Sequence, residues 1–231
     1  VLEGALSQLF AQPIKITAAG RTDTGVHAAG QVISFSAHDA FPVDRLSIAL
    51  NSALPADLSV RDAVRAQAGF SARHSALERS YTYAVLARRD PSAVLRRFVH
   101  HEHRELDLER MRAGAARFLG EHDFVTFCGV VPDRGGTVRT VNAFGIDCAG
   151  EIVRFHVRGE SFLHRMVRIM VGTLLEVGAG RREPEDVKAM LDARDRRSAG
   201  ATAPPQGLVL AGVRYRDFSS ASPHFAWPPV S

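Results

Sequence analysis

The chain has 231 residues, 45% of them hydrophobic, and a net charge of +4 at pH 7, a balance that supports a sizeable core and excludes intrinsic disorder. No apolar run approaches the roughly 18 residues of a membrane span, and no stretch joins a basic start, an apolar core and a small-residue cleavage site, so a soluble cytoplasmic protein is predicted. The two cysteines, Cys128 and Cys148, lie in no C-x-x-C pair and beside no histidines at zinc-like spacing; both read as buried free thiols.

Leu2, Leu6, Leu9 and Phe10 share one helical face and predict a helix over 1–11. A strand over 14–19, a polar loop, a strand over 31–37, a helix over 43–53, a strand over 58–67 and a long strand over 79–88 follow. Beyond the Asp90-Pro91 break, Asp107 opens a predicted helix over 107–119, and residues 121–136, which include Pro132-Asp133-Arg134-Gly135-Gly136, read as irregular. Strands over 137–148 and 151–159 flank Gly150. In the second, Val153, Phe155 and Val157 alternate with Arg154, His156 and Arg158, giving an apolar face and a basic face that is either solvated or turned toward phosphates. Helices over 163–177 and 184–193, the latter with Pro184 near its first turn, precede a strand near 207–214 and an extended tail, 219–231, in which Trp227 is expected to pack locally. This order predicts an α+β fold with helices on one face of a mostly antiparallel sheet, divided at 1–90, 91–218 and the tail.

The chemistry concentrates in Gly20-Arg21-Thr22-Asp23-Thr24-Gly25-Val26-His27, where one carboxylate sits between a cation and a glycine in a stretch too polar for a core. Glycine permits sharp turns that a Cβ hinders. Such an acid either closes an Asx turn or does chemistry, and residues 20–27 alone leave both open. The 29 basic residues include only Lys15 and Lys188, so 29 − 2 = 27 are arginines, suited to phosphates and bases but equally a mark of genome composition. His100-His101-Glu102-His103 is the nearest approach to a metal cluster, but neighbouring strand side chains face opposite ways, and no metal or cofactor is predicted.

Five blocks resemble the TruA family of tRNA pseudouridine synthases, in family order from residue 20 to 213. They are GRTDTGVHA; Asn51 to Asp57 with Leu54-Pro55; Phe70-Ser71-Ala72-Arg73 with Arg79-Ser80-Tyr81-Thr82-Tyr83; Phe162-Leu163-His164-Arg165-Met166-Val167-Arg168 with Val171-Gly172; and Gly207-Leu208-Val209-Leu210 to Val213. Family members begin with a strand and a Gly- and Trp-containing turn that have no counterpart here, which suggests that an N-terminal segment is missing from the sequence.

The resemblance implies two related α/β halves sharing a sheet with a basic cleft, a homodimer, and isomerisation of uridine to pseudouridine at positions 38 to 40 of the tRNA anticodon stem-loop without a cofactor. It implies Asp23 as nucleophile, attacking ribose C1′ or the uracil ring, and Arg168 as its cation; a reacting carboxylate must be ionised, and a nearby positive charge favours that form. Arg21 is expected on the phosphate backbone near the extruded base. Tyr81 offers a ring to stack on uracil and a hydroxyl near the C5 proton, with Leu208 or Leu210 as the apolar wall. Each has a plainer reading as surface, core or structural ion pair. His27 is a weak base candidate, Tyr83 reads as core, and Arg73, Arg79, Arg139 and Arg165 are further phosphate candidates. The alternatives are a non-catalytic tRNA-binding or RNA-folding protein and an Asp-dependent nucleotide hydrolase, which lacks an evident second carboxylate.

Overall fold

The computed structural model describes residues 1–38, 41–222 and 225–229, so Pro223 and the last two residues of the expected tail lie outside the described part. In chain order its elements are α1 (Leu2–Leu9), β1 (Thr17–Ala18), β2 (His27–Ala28), β3 (Ile33–Ser34), α2 (Val43–Ala53), β4 (Glu78–Ala87), β5 (His100–Glu102), α3 (Leu108–Ala116), β6 (Gly120–Asp123), β7 (Val138–Ala149), β8 (Ile152–Gly159), α4 (Met166–Gly178), α5 (Asp186–Ala193) and β9 (Leu208–Arg214). By its contacts the chain forms two compact units, residues 1–20 with 32–75, and residues 21–31 with 76–231.

In the first unit Leu6 of α1 and Leu46 and Leu50 of α2 close a small core with Ile14. β1 and β3 pair antiparallel through Thr17 with Ser34 and Ala18 with Ile33. The expected strand over 14–19 shortens because α1 supplies its partners: Ile14 N–H donates to Ser7 Oγ at 2.9 Å and Ile16 N–H to Glu3 Oε1 at 3.0 Å. The strand expected over 31–37 is likewise reduced to Ile33–Ser34. The strand predicted over 58–67 does not form. There the Asn51 carboxamide takes both backbone groups of Val60, at 2.7 and 2.8 Å, in the manner of a neighbouring strand.

The second unit is built on a mixed sheet in the order β2-β9-β4-β8-β7-β6, with β5 also on β4. β2–β9 and β4–β5 are parallel; the other pairings are antiparallel. The polar run Gly-Glu-His-Asp gave no apolar alternation, so β6, found inside the segment read as irregular, rests on backbone pairing to β7. α3, α4 and α5 share one core with Tyr83, Val85, Phe155 and Val157, from the apolar face of β4 and β8. Eleven of the 13 residues of α4 are buried, so it runs through the core rather than along the surface. Asp107 caps α3 by accepting from Arg110 N–H at 3.0 Å. No helix among the described residues is long and apolar enough to cross a membrane.

On the opposite face Ala84, Leu86 and Val209 pack against Trp227. Its indole N–H donates to Gly207 O at 2.9 Å, and its ring meets Phe98 edge-on at 5.6 Å, so the tail is anchored on the sheet at this point. The basic face of β8 is compensated. Arg154 holds Trp227 O at 2.7 Å and lies 3.3 Å from Asp147; His156 meets the same carboxylate at 2.6 Å; Arg158 lies 3.9 Å from Glu78. Cys128 is buried, but Cys148, near the β7–β8 turn, is exposed, against the expectation for it.

Candidate active site

Asp23 opens a four-residue turn: Val26 N–H donates to Asp23 O at 3.0 Å, and Gly25 takes the third place at φ +83°, where a side chain would be strained. The turn uses Asp23's backbone and leaves its side chain for something else. Its Oδ2 accepts from Arg168 Nη1 at 2.6 Å, and the two side chains are only 21% and 11% exposed. A charge-assisted bond in so sheltered a place is stronger than a surface pair. Residues 145 positions apart in the chain thus form one ion pair, in place of the Asx turn considered for an isolated Asp.

Arg168 is fixed as well as paired. Its Nε donates to Ala203 O at 2.8 Å, and segment 200–203 runs along α4 through Gly200 N–H to Thr173 Oγ1, Ala201 N–H to Glu176 Oε1 and Ala203 N–H to Arg168 O. Gly172 makes this approach possible: a Cβ there would stand 1.8 Å from Ala201 O. In an ordinary helix interior Gly→Ala gains about 1 kcal/mol. Here we expect the reverse, a lower melting temperature, with single-turnover rates falling further than in an equally destabilised variant remote from Asp23, because the displaced strap carries the carbonyl that holds Arg168. A stabilised, fully active Gly172→Ala protein would remove the strap from this role.

Tyr81, on β4, lies opposite Leu210 of β9, and Tyr83 opposite Leu208, so both leucines share the tyrosines' face and Leu210 is the neighbour of Tyr81. Leu208 and Leu210 are buried at 5% and 0% exposure. The Tyr81 ring is half-buried and meets Phe162 edge-on at 5.3 Å. Burial pushes its phenol up to about 12; Arg79 opposes this and the negative charge of Asp23 adds to it. A phenol so placed is neutral at physiological pH, and accepts a proton only while passing its own on. Tyr83 is fully buried and donates to Pro204 O at 2.8 Å, as a core residue.

Other candidates separate clearly. Arg21 is exposed and has no partner among the described residues. Arg79 is buried and donates to Glu160 O at 2.6 Å, and the partly exposed Arg139 donates to Val138 O at 2.6 Å. Arg73 belongs to the first unit. His27 bonds Arg97 O at 2.8 Å and packs on Trp227 at 4.9 Å. Among the described residues no cluster of three or more His, Cys, Asp or Glu side chains is arranged to hold a metal ion; Glu102 is taken by Arg104 and His101 by Arg88 O.

His164 was not singled out in the sequence. Its Nε2 stands 3.7 Å from Asp23 Oδ1, the oxygen that Arg168 leaves uncovered. It lies in the same block as Arg168, but histidine at that place carries no signal of its own.

The family model described as tRNA pseudouridine synthase matches residues 1–74 and 115–216. The chain belongs to the tRNA pseudouridine synthase family. It is 45% identical over 209 residues to tRNA pseudouridine synthase A of Halalkalibacterium halodurans, covering 90% of this chain and 80% of that protein. The enzyme of the same name from Caulobacter vibrioides is 44% identical over 217 residues, covering 94% and 88%, and that from Bacillus subtilis 40% over 216 residues, covering 93% and 87%. The tRNA pseudouridine synthase family is one of isomerases, and the matched spans include both Asp23 and Arg168.

Proposed function

We propose that this chain isomerises uridine to pseudouridine in tRNA, at positions 38 to 40 of the anticodon stem-loop, with Asp23 as the covalent nucleophile. What carries the reading is the sheltered Asp23–Arg168 pair, set in a chain of this family. The reaction breaks the bond between ribose C1′ and uracil N1, turns the base and rejoins it through C5, so it needs a nucleophile and a pocket that keeps the free uracil. Asp23 attacks C1′ or the ring with its uncovered oxygen; Arg168 supplies the counter-charge and aims the carboxylate. The Tyr81 ring stacks on the base, its hydroxyl relays the C5 proton, and Leu210, with Leu208 behind it, forms the apolar wall. No redox partner enters.

The same reading places Arg21 on the phosphate backbone beside the extruded nucleotide, whose unstacking costs a few kcal/mol that RNA contacts must offset. It takes 1–90 and 91–218 as related halves with a basic cleft, and the active species as a cytoplasmic homodimer. Incubating the protein with unmodified tRNA and mapping pseudouridine tests it; intact uridine throughout, with tRNA bound, would favour the RNA-binding alternative.

Tyr81 divides into two testable parts. Tyr81→Phe keeps the ring and is expected to hold tRNA while slowing the chemical step. Tyr81→Leu also loses the stacking face and is expected to be worse in both respects, since base stacking contributes about 1–3 kcal/mol. Single-turnover rates and affinities measured on both decide it; two fully active variants would leave Tyr81 as packing alone.

A further inference from the structure

The turn that opens α4 carries an arginine where its backbone suits a glycine. Met166 N–H donates to Leu163 O at 3.1 Å, and Arg165 takes the third place at φ +60°, a position favouring Gly or Asn. Among the described residues the other left-handed non-glycines, Ala11 and Arg194, each follow the last turn of a helix, where this conformation is a common ending. Arg165 alone begins one.

Its side chain is exposed, and its guanidinium has no hydrogen bond or ion pair among the described residues, in contrast to Arg79, Arg139, Arg154 and Arg158. The residue before it, His164, and the one three beyond, Arg168, both face Asp23. The turn is also held from outside. Gly129 N–H donates to His164 O at 2.8 Å, and a Cβ on Gly129 would lie 2.8 Å from His164 Nδ1 and 3.1 Å from Arg165 Cδ. The imidazole and the arginine stem therefore lie close against a bare backbone, which narrows the room left for the stem.

We propose that Arg165 grips a phosphate of the RNA strand entering the site, next to the nucleotide presented to Asp23. An arginine whose stem is clasped and whose fork is unoccupied is prepared for bidentate phosphate binding with little ordering left to do. This rests on the reading of the chain as a tRNA-modifying enzyme, and the test keeps the two apart.

Arg165→Gly removes the guanidinium and suits φ +60°, so the variant is expected to melt at or above the wild-type temperature. Titrating unmodified tRNA over a salt series, its plot of log affinity against log salt is expected to be shallower than wild type by about 0.7 to 0.9, one phosphate contact. Arg165→Lys keeps the charge and is expected to retain most of the slope. Gly129→Ala leaves the charge but forces the clasp apart, and is expected to weaken binding as well. Parallel plots for wild type and Arg165→Gly, in a protein that does form pseudouridine, overturn the grip alone. Wild-type protein that binds with a steep slope but leaves every uridine unchanged overturns the enzymatic reading and leaves the grip standing.

Discussion

Asp23→Asn is expected to abolish pseudouridine formation while tRNA affinity stays within about tenfold of wild type, about 1.4 kcal/mol. The substitution keeps the shape of the side chain and the turn closed by Val26 N–H, and removes only the charge and the nucleophilic oxygen. Affinity is expected to shift toward tighter binding, because a carboxylate facing a polyanion is a repulsion and its loss uncovers Arg168. Stability is expected to fall, since Arg168 is 11% exposed and would lose its anion. The measurement is a pseudouridine-formation assay on rigorously purified protein beside filter binding. Turnover above background in the Asn protein would end the nucleophile assignment.

Arg168→Lys is the second large effect. The arginine makes two directed contacts, Nη1 to Asp23 and Nε to Ala203 O, and a single ammonium replaces only one of them. Keeping the ion pair would leave the Ala203 carbonyl unpaired; keeping the carbonyl would pull the charge from Asp23. Either way the carboxylate is aimed differently by a fraction of an ångström to an ångström, and single-turnover rates are expected to fall by roughly 100-fold. A matched change at an exposed arginine, Arg89→Lys, should leave the rate unaltered. Near-wild-type rates in the Arg168→Lys protein would show that another group controls Asp23.

What the sequence made legible follows from where local pattern and tertiary environment agree. α2, β4, β7, β8, α4 and β9 lie within a few residues of expectation because each carries an apolar pattern of its own, a nearly continuous run in α4 and β9. The segments over 14–19 and 58–67 alternate like strands, but Ser7, Glu3 and Asn51 satisfy their backbone through side chains, and no local period reports a partner on another element. β6 is a strand by pairing alone. At the site, Asp23 stood out through its glycine-flanked, polar setting, whereas Arg168 and Tyr81 were found through the family blocks, since nothing local marks two residues as neighbours across 145 positions. Arg79 looked like a phosphate contact by type, and its burial under Glu160 O shows that residue type and exposure are separate facts. His164 escaped notice because its approach to Asp23 depends on the left-handed turn at Arg165, which residue identity argues against.

One consequence of segment 21–31 belonging to the second unit concerns the order of synthesis. The stretches on either side of it, up to residue 20 and from 32 to 75, have their contacts with each other, but β2 docks in parallel on β9, near the other end of the chain. A ribosome therefore delivers Asp23 145 residues before the arginine that pairs with it, and earlier still relative to the strand that receives its loop. Until Arg168 and β9 have both emerged, the Asp23 loop lacks the partner of its carboxylate and the strand on which it docks. The strand that receives this loop is complete only when nearly the whole polypeptide exists, so the setting of Asp23 is assembled late, by the threading of the sheet.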